Sequence, residues 1–396
     1  MSSLSRPTWV EVDLGAIAHN MKLLRSTLKP GVALLAQVKG NAYGHGLLDV
    51  ARAYERLGVD WLGVASIDEA ARLRDGGITK SLLVQTAILP EEAGAALEYR
   101  VQPAVCSVEV GAALDRAASA RNTVATVHLK IDTGMGRLGV WHEEAEALAK
   151  RLQAFRRLRI AGCFTHFPSA EDDRRFTTAQ IAAFRKLLAR LRKMLDAPVL
   201  GHAANSMALL SYPDSHCDLV RPGLAFFGLY PTPRLRRTIT LQPALSWKTR
   251  IVFVKRVPAG RGISYGLTHT TRRPTVIATL PVGYADGYMR ALSNRSVVLI
   301  RGQRASVVGR ICMDQVMVDV GRIANVQVGD EAVLIGTQGD EEIRAEELAH
   351  RAGTIAYEIC TSISDRVPRR YIGQERLPIA VDGDPGSIEK PSAAIA

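Results

Sequence analysis

Between residues 33 and 220, eight short apolar runs alternate with amphipathic stretches, and no other feature restricts the fold as much. The runs lie near 33–38, 61–65, 82–86, 102–105, 124–131, 159–165, 198–201 and 218–220, each short enough for a buried parallel strand. Helical spacing appears between them, for example from Asp68 to Arg74, Glu143 to Phe155 and Thr177 to Leu195. Ahead of the first run, Asp13 is suited to cap a helix whose apolar positions are Leu14, Ile17, Met21 and Leu24, with Pro30-Gly31 as its stop. Eight strand–helix units predict an α/β fold, a closed (β/α)8 TIM-type barrel over residues 8–242. A doubly wound open sheet is disfavoured, because no Gly-rich dinucleotide loop follows the first strand.

After Pro243 the texture changes to strand patterns punctuated by Gly and Pro. They run from Ala244 to Val257, Thr275 to Leu280, Ser296 to Ile300, Arg304 to Val308, Val316 to Val320 and Glu331 to Ile335. A single helical pattern, Ala345 to Gly353, interrupts them. A mostly β domain is therefore expected over 243–382, with a disordered tail at 383–396.

In a barrel of this kind, chemistry gathers at the C-terminal ends of the strands. The first strand ends at Lys39, followed by Gly40-Asn41-Ala42-Tyr43-Gly44-His45-Gly46. The fifth ends at Lys130, then Asp132-Thr133-Gly134-Met135-Gly136-Arg137; the sixth at Thr165-His166-Phe167. His202-Ala203-Ala204-Asn205-Ser206 follows the seventh and Arg221-Pro222-Gly223-Leu224 the eighth. Lys39 on its own fits a surface lysine snorkelling at a strand end better than a functional amine. Its company favours an amine held at a cavity mouth, the residue type that forms Schiff bases with pyridoxal phosphate. The loops after the last two strands commonly cradle a phosphate, and Asn205-Ser206 opening a short helical pattern with Gly223 nearby suits that role.

Composition closes off other classes. No apolar run among the 396 residues approaches a membrane span, and the segment from Met1 to Pro7 has no signal-peptide core. Cys106, Cys163, Cys217, Cys312 and Cys360 are scattered without metal-ligand spacing, which predicts free thiols, no metal and a cytoplasmic location. The net charge of +12 is spread out, largely as arginines in small groups such as Arg156-Arg157 and Arg369-Arg370 rather than as a long basic run, so neither nucleic acid nor a membrane is an expected partner.

The motifs Val38-Lys39-Gly40-Asn41-Ala42-Tyr43-Gly44-His45-Gly46, Lys130 to Gly139, His202 to Ser206, Ser264-Tyr265-Gly266, Gly283 to Gly287, Gly309 to Gln315 and Arg366 to Arg369 resemble those of the alanine racemase family, in its order and spacing. The resemblance implies a pyridoxal 5'-phosphate enzyme that interconverts L- and D-alanine and supplies D-alanine for peptidoglycan. It implies Lys39 as Schiff-base lysine and as base on one face of the substrate Cα. Tyr265 would be the base on the other face, reaching in from the second subunit of a homodimer. Arg221 would contact the pyridine nitrogen, and Arg137 would lie near the phenolic oxygen and the substrate carboxylate. Tyr43, Ser206, Gly223 and Tyr357 would surround the phosphate, together with Asn205 and Leu224. His166 would support Arg221 and Tyr265. Met313 and Asp314 would line the substrate entrance, and Lys130 matches a lysine that some members carbamylate. The chain departs from the family at Gly40, where alanine is common, and at Pro168.

Three rivals remain: a racemase of broader or different specificity (serine, lysine), a pyridoxal-phosphate barrel decarboxylase, and a non-catalytic cofactor-binding barrel. The pairing of Lys39 with Tyr265 speaks against the second. The C-terminal domain bearing Tyr265 and Met313-Asp314 speaks against the third.

Overall fold

The computed structural model describes residues 6–377; the tail expected at 383–396 lies outside the described residues. Strand β1 (Thr8–Asp13) leads into helix α1 (Leu14–Arg25). The Asp13 carboxylate accepts from the Ala16 N–H at 3.1 Å, the predicted cap. The helix ends at Arg25 on a Ser26 cap, ahead of the Pro30-Gly31 expected to stop it.

The barrel strands are β2 (Ala33–Gln37), β3 (Trp61–Val64), β4 (Ser81–Ala87), β5 (Val101–Val105), β6 (Ala125–Asp132), β8 (Leu158–Phe164), β9 (Leu200–His202) and β10 (Leu219–Val220); the short β7 (Val140–Trp141) branches off β6. They pair in parallel in the order β10-β2-β3-β4-β5-β6-β8-β9. The seam between β9 and β10 is closed by Asp218 N–H donating to Gly201 O at 3.0 Å and Arg221 N–H donating to Ala204 O at 2.8 Å. Helices α2 (Leu47–Arg56), α3 (Ile67–Asp75), α4 (Ala93–Glu98), α5 (Val108–Ala120), α6 (Ala145–Gln153), α7 (Arg174–Leu195) and α8 (Ser206–Ser211) connect them. The eight apolar runs are thus the eight barrel strands, buried on both faces as near-continuous hydrophobic sequence requires.

The second domain contains β11 (Leu245–Arg250), β12 (Phe253–Val257), β13 (Gly262–Ile263), β14 (His269–Thr270), β15 (Thr275–Leu280), β16 (Val297–Ile300), β17 (Gln303–Val307), β18 (Val316–Asp319), β19 (Glu331–Gln338), β20 (Glu341–Ile343) and β21 (Arg369–Ile372), with helices α9 (Ala345–Ala352) and α10 (Ala356–Thr361). Three expectations change here. The strand expected from Ala244 to Val257 is two strands, because the chain switches partners: β11 pairs with β19 and β12 with β15. The single expected helix is two, since Gly353 at φ 75° ends α9. The barrel expected to begin at residue 8 begins after β1, which pairs antiparallel with β11 and parallel with β21 in the second sheet. Strand-like sequence does not say which sheet a strand joins. Among the described residues, no helix is long and apolar enough to cross a membrane.

Candidate active site

Strand β2 delivers Lys39 and the backbone then turns the wrong way. Gly40, Asn41, Ala42 and Tyr43 have φ of 61°, 55°, 52° and 54°, one turn of left-handed helix. Each non-glycine residue held this way costs about 1–2 kcal/mol, so the surroundings must hold it. The Glu69 carboxylate on α3 accepts from Gly40 N–H and from Ala65 N–H, both at 2.7 Å. Asn41 Oδ1 accepts from Leu47 N–H at 2.8 Å. His45 Nδ1 donates toward the carbonyls of Tyr43 at 2.9 Å and Ala42 at 3.1 Å. From β21, Arg369 donates twice to Gly44 O, at 3.1 Å each. The outcome is that Lys39 and Tyr43 line the same cleft.

That cleft is open, about 1300 Å³, at the C-terminal ends of the barrel strands. Lys39, Tyr43, Arg137, His166, Asn205, Ser206, Arg221, Gly223, Leu224 and Tyr357, all predicted site residues, line it. Arg137 arrives on a loop folded by Asp132, whose carboxylate accepts from the N–H groups of Gly134, Met135 and Gly136 at 2.7, 2.8 and 2.9 Å. Asn205 caps α8, its side chain accepting from Ala208 N–H at 2.9 Å. Ser206 Oγ accepts from Gly223 N–H at 3.0 Å and Ala225 N–H at 3.2 Å, tying the last two barrel loops together. A side chain at 223 is excluded, since a Cβ there would lie 2.4 Å from Tyr43 Oη. Tyr357 enters from α10 of the other domain, its ring 5.8 Å from that of Tyr43.

The cleft is strongly cationic. Arg221 is buried, and its guanidinium donates only to neutral acceptors: Thr165 O at 2.7 Å, Ala203 O at 3.2 Å and His202 Nδ1 at 2.9 Å. Burial pushes it down to about 9. Lys130 lies buried on β6, donating to Ile131 O at 2.8 Å; burial, then Arg221, brings its amine down to about 8. Burial also lowers Lys39, helped by Arg137 and Arg221 and opposed by Glu69. Burial and the same cations hold His166 well below its usual value, so it stays neutral. The ring bonded to Arg221 is that of His202, not His166.

Tyr265, Met313 and Asp314 are elsewhere. Tyr265 is 72% exposed on the C-terminal domain, lining a separate depression with Ser264 and Cys312. Met313 is 53% exposed. The Asp314 carboxylate accepts from Arg366 Nη2 at 2.7 Å. Arg366 in turn lies 3.6 Å from the buried Asp286, which also pairs with Arg6. One chain alone does not bring these three residues to Lys39.

Residues 12–231 match the family described as alanine racemase, N-terminal domain, and residues 244–371 match alanine racemase, C-terminal domain. The chain belongs to the alanine racemase family. It is 48% identical over 370 residues to the alanine racemase of Symbiobacterium thermophilum, covering 93% of this chain and 98% of the relative. Among solved structures it is similar to the alanine racemase from Bacillus anthracis with bound L-Ala-P, at TM-score 0.89 and 38% identity, covering 94% and 97% of the two chains. It is also similar to the alanine racemase from Bartonella henselae with covalently bound pyridoxal phosphate, at TM-score 0.81 and 28% identity, covering 92% and 99%.

Sequence reading alone gave no role to four residues of this alanine racemase family member: Glu69, Gln102, His128 and His202. A signal existed for His128. Strand β6 reads Ala-Thr-Val-His-Leu-Lys-Ile-Asp, with polar residues at every second position, and His128, Lys130 and Asp132 are buried. Such alternation inside a buried strand marks a polar layer in the barrel interior. Ser66-x-x-Glu69 has the spacing of a capping box. Ser66 does cap α3, but the Glu69 carboxylate turns instead to Ala65 and Gly40.

Proposed function

We propose that this chain interconverts L- and D-alanine with pyridoxal 5'-phosphate carried on Lys39, as a homodimer in the cytoplasm, supplying D-alanine for peptidoglycan. The observation that carries the reading is the charge of the cleft. Lys39, Lys130, Arg137 and Arg221 converge, and among the described residues no carboxylate stands within ion-pair distance of any of them. The two most buried, Lys130 and Arg221, require an anion nearby. A phosphate ester bearing a phenolate and an aldehyde supplies two negative groups and a partner for the amine. The absence of a side chain at Gly223 lets Tyr43 Oη approach its backbone closely, and both would sit at the phosphate end.

When bound, the cofactor offers an electrophilic carbonyl and a conjugated ring that disperses charge from the substrate Cα. The protein's part is binding, orientation and proton handling. Tyr43, Ser206, Gly223 and Tyr357, with Asn205 and Leu224 beside them, would hold the phosphate. Arg221 would face the ring nitrogen, where a guanidinium can only donate, and so would withhold a proton from it. Arg137 would orient the substrate carboxylate, with Met313 and Asp314 at the entrance. Lys39 Nζ would take the proton from one face of Cα, and Tyr265 Oη of the partner subunit would give one to the other. Lowering the Lys39 amine toward neutrality favours that transfer. His166 would stand between Arg221 and Tyr265 as a neutral ring. Lys130, a buried amine with a reduced proton affinity, is suited to take up carbon dioxide as a carbamate, losing a proton and placing a negative group beside Arg137.

The test is a panel of L-amino acids incubated with protein and cofactor and resolved by chiral chromatography. Alanine should racemise fastest. Faster conversion of serine or lysine would replace this reading with the broader-specificity one, and no conversion of any would leave a binding protein.

A further inference from the structure

We propose that Gln102 and His128 are positioning residues for Arg221: acting through His202, they aim its guanidinium with a file of neutral side chains that gives direction without cancelling its charge. The file crosses the barrel interior beneath the cleft. Arg221 Nη1 lies 2.9 Å from His202 Nδ1, His202 Nε2 lies 2.7 Å from His128 Nδ1, and His128 Nε2 lies 3.2 Å from Gln102 Oε1. A guanidinium only donates, so His202 Nδ1 accepts and the His202 proton sits on Nε2. That proton points at His128 Nδ1, which therefore accepts, placing the His128 proton on Nε2, where Gln102 Oε1 receives it. Every donor meets an acceptor, and every ring is neutral.

The surroundings favour that state. Burial, with Arg221 next, lowers His128 to about 3 and holds His202 well below its usual value. The rings are also held in place. Phe164 stacks on His202 with centroids 4.7 Å apart and planes 9° apart, and Trp61 meets His128 edge-on at 5.4 Å. Gly162 makes the room: a Cβ there would lie 2.4 Å from His128 Nδ1. A carboxylate in place of His202 would hold Arg221 as firmly but would neutralise it. The neutral file leaves the full charge of Arg221 to the cleft. This inference rests on the role proposed for Arg221 above.

The test uses the cofactor-loaded protein with 15N-labelled histidine. Wild-type spectra at pH 7 should show His128 and His202 neutral and protonated on Nε2; either ring cationic or protonated on Nδ1 overturns the proposal. Gln102→Glu then reverses the file at its far end. A carboxylate there favours a cationic His128, whose Nδ1–H now points at His202 Nε2. The His202 proton is forced to Nδ1, against the Arg221 donor. The expected result is that tautomer change together with a fall in kcat of about tenfold, the loss typical of one misdirected buried hydrogen bond, and a smaller change in KM. Gln102→Leu removes the acceptor without adding charge and should keep the His202 tautomer and lose less kcat. Equal losses in both variants with unchanged tautomers would mean that Gln102 only packs, and would overturn the inference. If neither variant folds, the wild-type spectra still decide. Alanine racemisation accompanied by the wrong wild-type tautomers would sink this inference and leave the proposed activity standing. The predicted tautomers without racemisation would do the reverse.

Discussion

The barrel mouth and the outward face of the C-terminal domain carry the two halves of the proposed chemistry in opposite physical states. At the mouth, Arg221 is buried and donates to His202, Thr165 and Ala203, Ser206 is tied to two backbone N–H groups, and Lys39 sits at the start of a left-handed turn braced from several sides. On the C-terminal domain, Tyr265, Leu267 and Met313 are 72%, 66% and 53% exposed. The barrel lines its part of the cleft within one chain, whereas in the proposed function the other half would come from a second chain.

Substitutions on the two sides should therefore fail differently. Lys39→Ala should lower racemisation by at least about 10³-fold, since in the proposed function it is both the cofactor's anchor and one base. Tyr265→Ala should lower it by about 10²–10⁴-fold yet leave unfolding free energy within about 0.5 kcal/mol of wild type, as expected for an exposed side chain. Mixing the two inactive proteins sharpens the comparison. Unfolded together and refolded at equal amounts, half the dimers are mixed and each holds one intact site, so about a quarter of wild-type activity should return. Assay of the mixture that recovers nothing would break the idea of a shared site.

Within the barrel, changes should cost binding and stability together. Gly223→Ala drives a Cβ to 2.4 Å from Tyr43 Oη, and overpacking of that kind costs about 1–3 kcal/mol. Ser206→Ala strips the acceptor from the Gly223 and Ala225 N–H groups, and each buried donor left without a partner costs about 1–3 kcal/mol. Both variants should release cofactor faster, followed by loss of its visible absorbance on dilution, and both should unfold at lower denaturant. A variant that lost cofactor with unchanged stability would contradict the coupling of cradle and core.

The difference between the regions also governs what could be read from sequence. The eight strands were legible because burial on both faces leaves long apolar runs, and the mouth residues were legible because they follow those runs directly. The assignment of β1 to the second sheet was not, because Thr8–Asp13 reads as a strand whichever sheet it joins. The left-handed turn at Gly40–Tyr43 was not, because Ala42 and Tyr43 hold positive φ, which such side chains disfavour; distant partners such as Glu69 and Arg369 brace it. The role of His202 was missed because only distances in three dimensions separate it from His166.

The smallest expected effect tests the buried histidines of the barrel through acid stability. His45 is fully buried, its Nδ1 committed to two carbonyls, and burial lowers it to about 4. In the unfolded chain the ring takes up a proton near pH 6.5; in the folded chain it refuses one until about 4. Between those values the unfolded state binds more protons, so stability falls as pH falls through that window and is unaffected above it. His45→Gln keeps a donor for the two carbonyls and cannot titrate. Its unfolding free energy at pH 7.5 drops modestly, but its slope against pH between 6 and 4.5 should be shallower than wild type by up to about 1.4 kcal/mol per unit, the value of one proton. Denaturant titrations across that range measure it. Parallel lines for the two proteins would mean that His45 is protonated in the folded barrel, and that the turn presenting Lys39 and Tyr43 is braced by a charge rather than by a neutral ring.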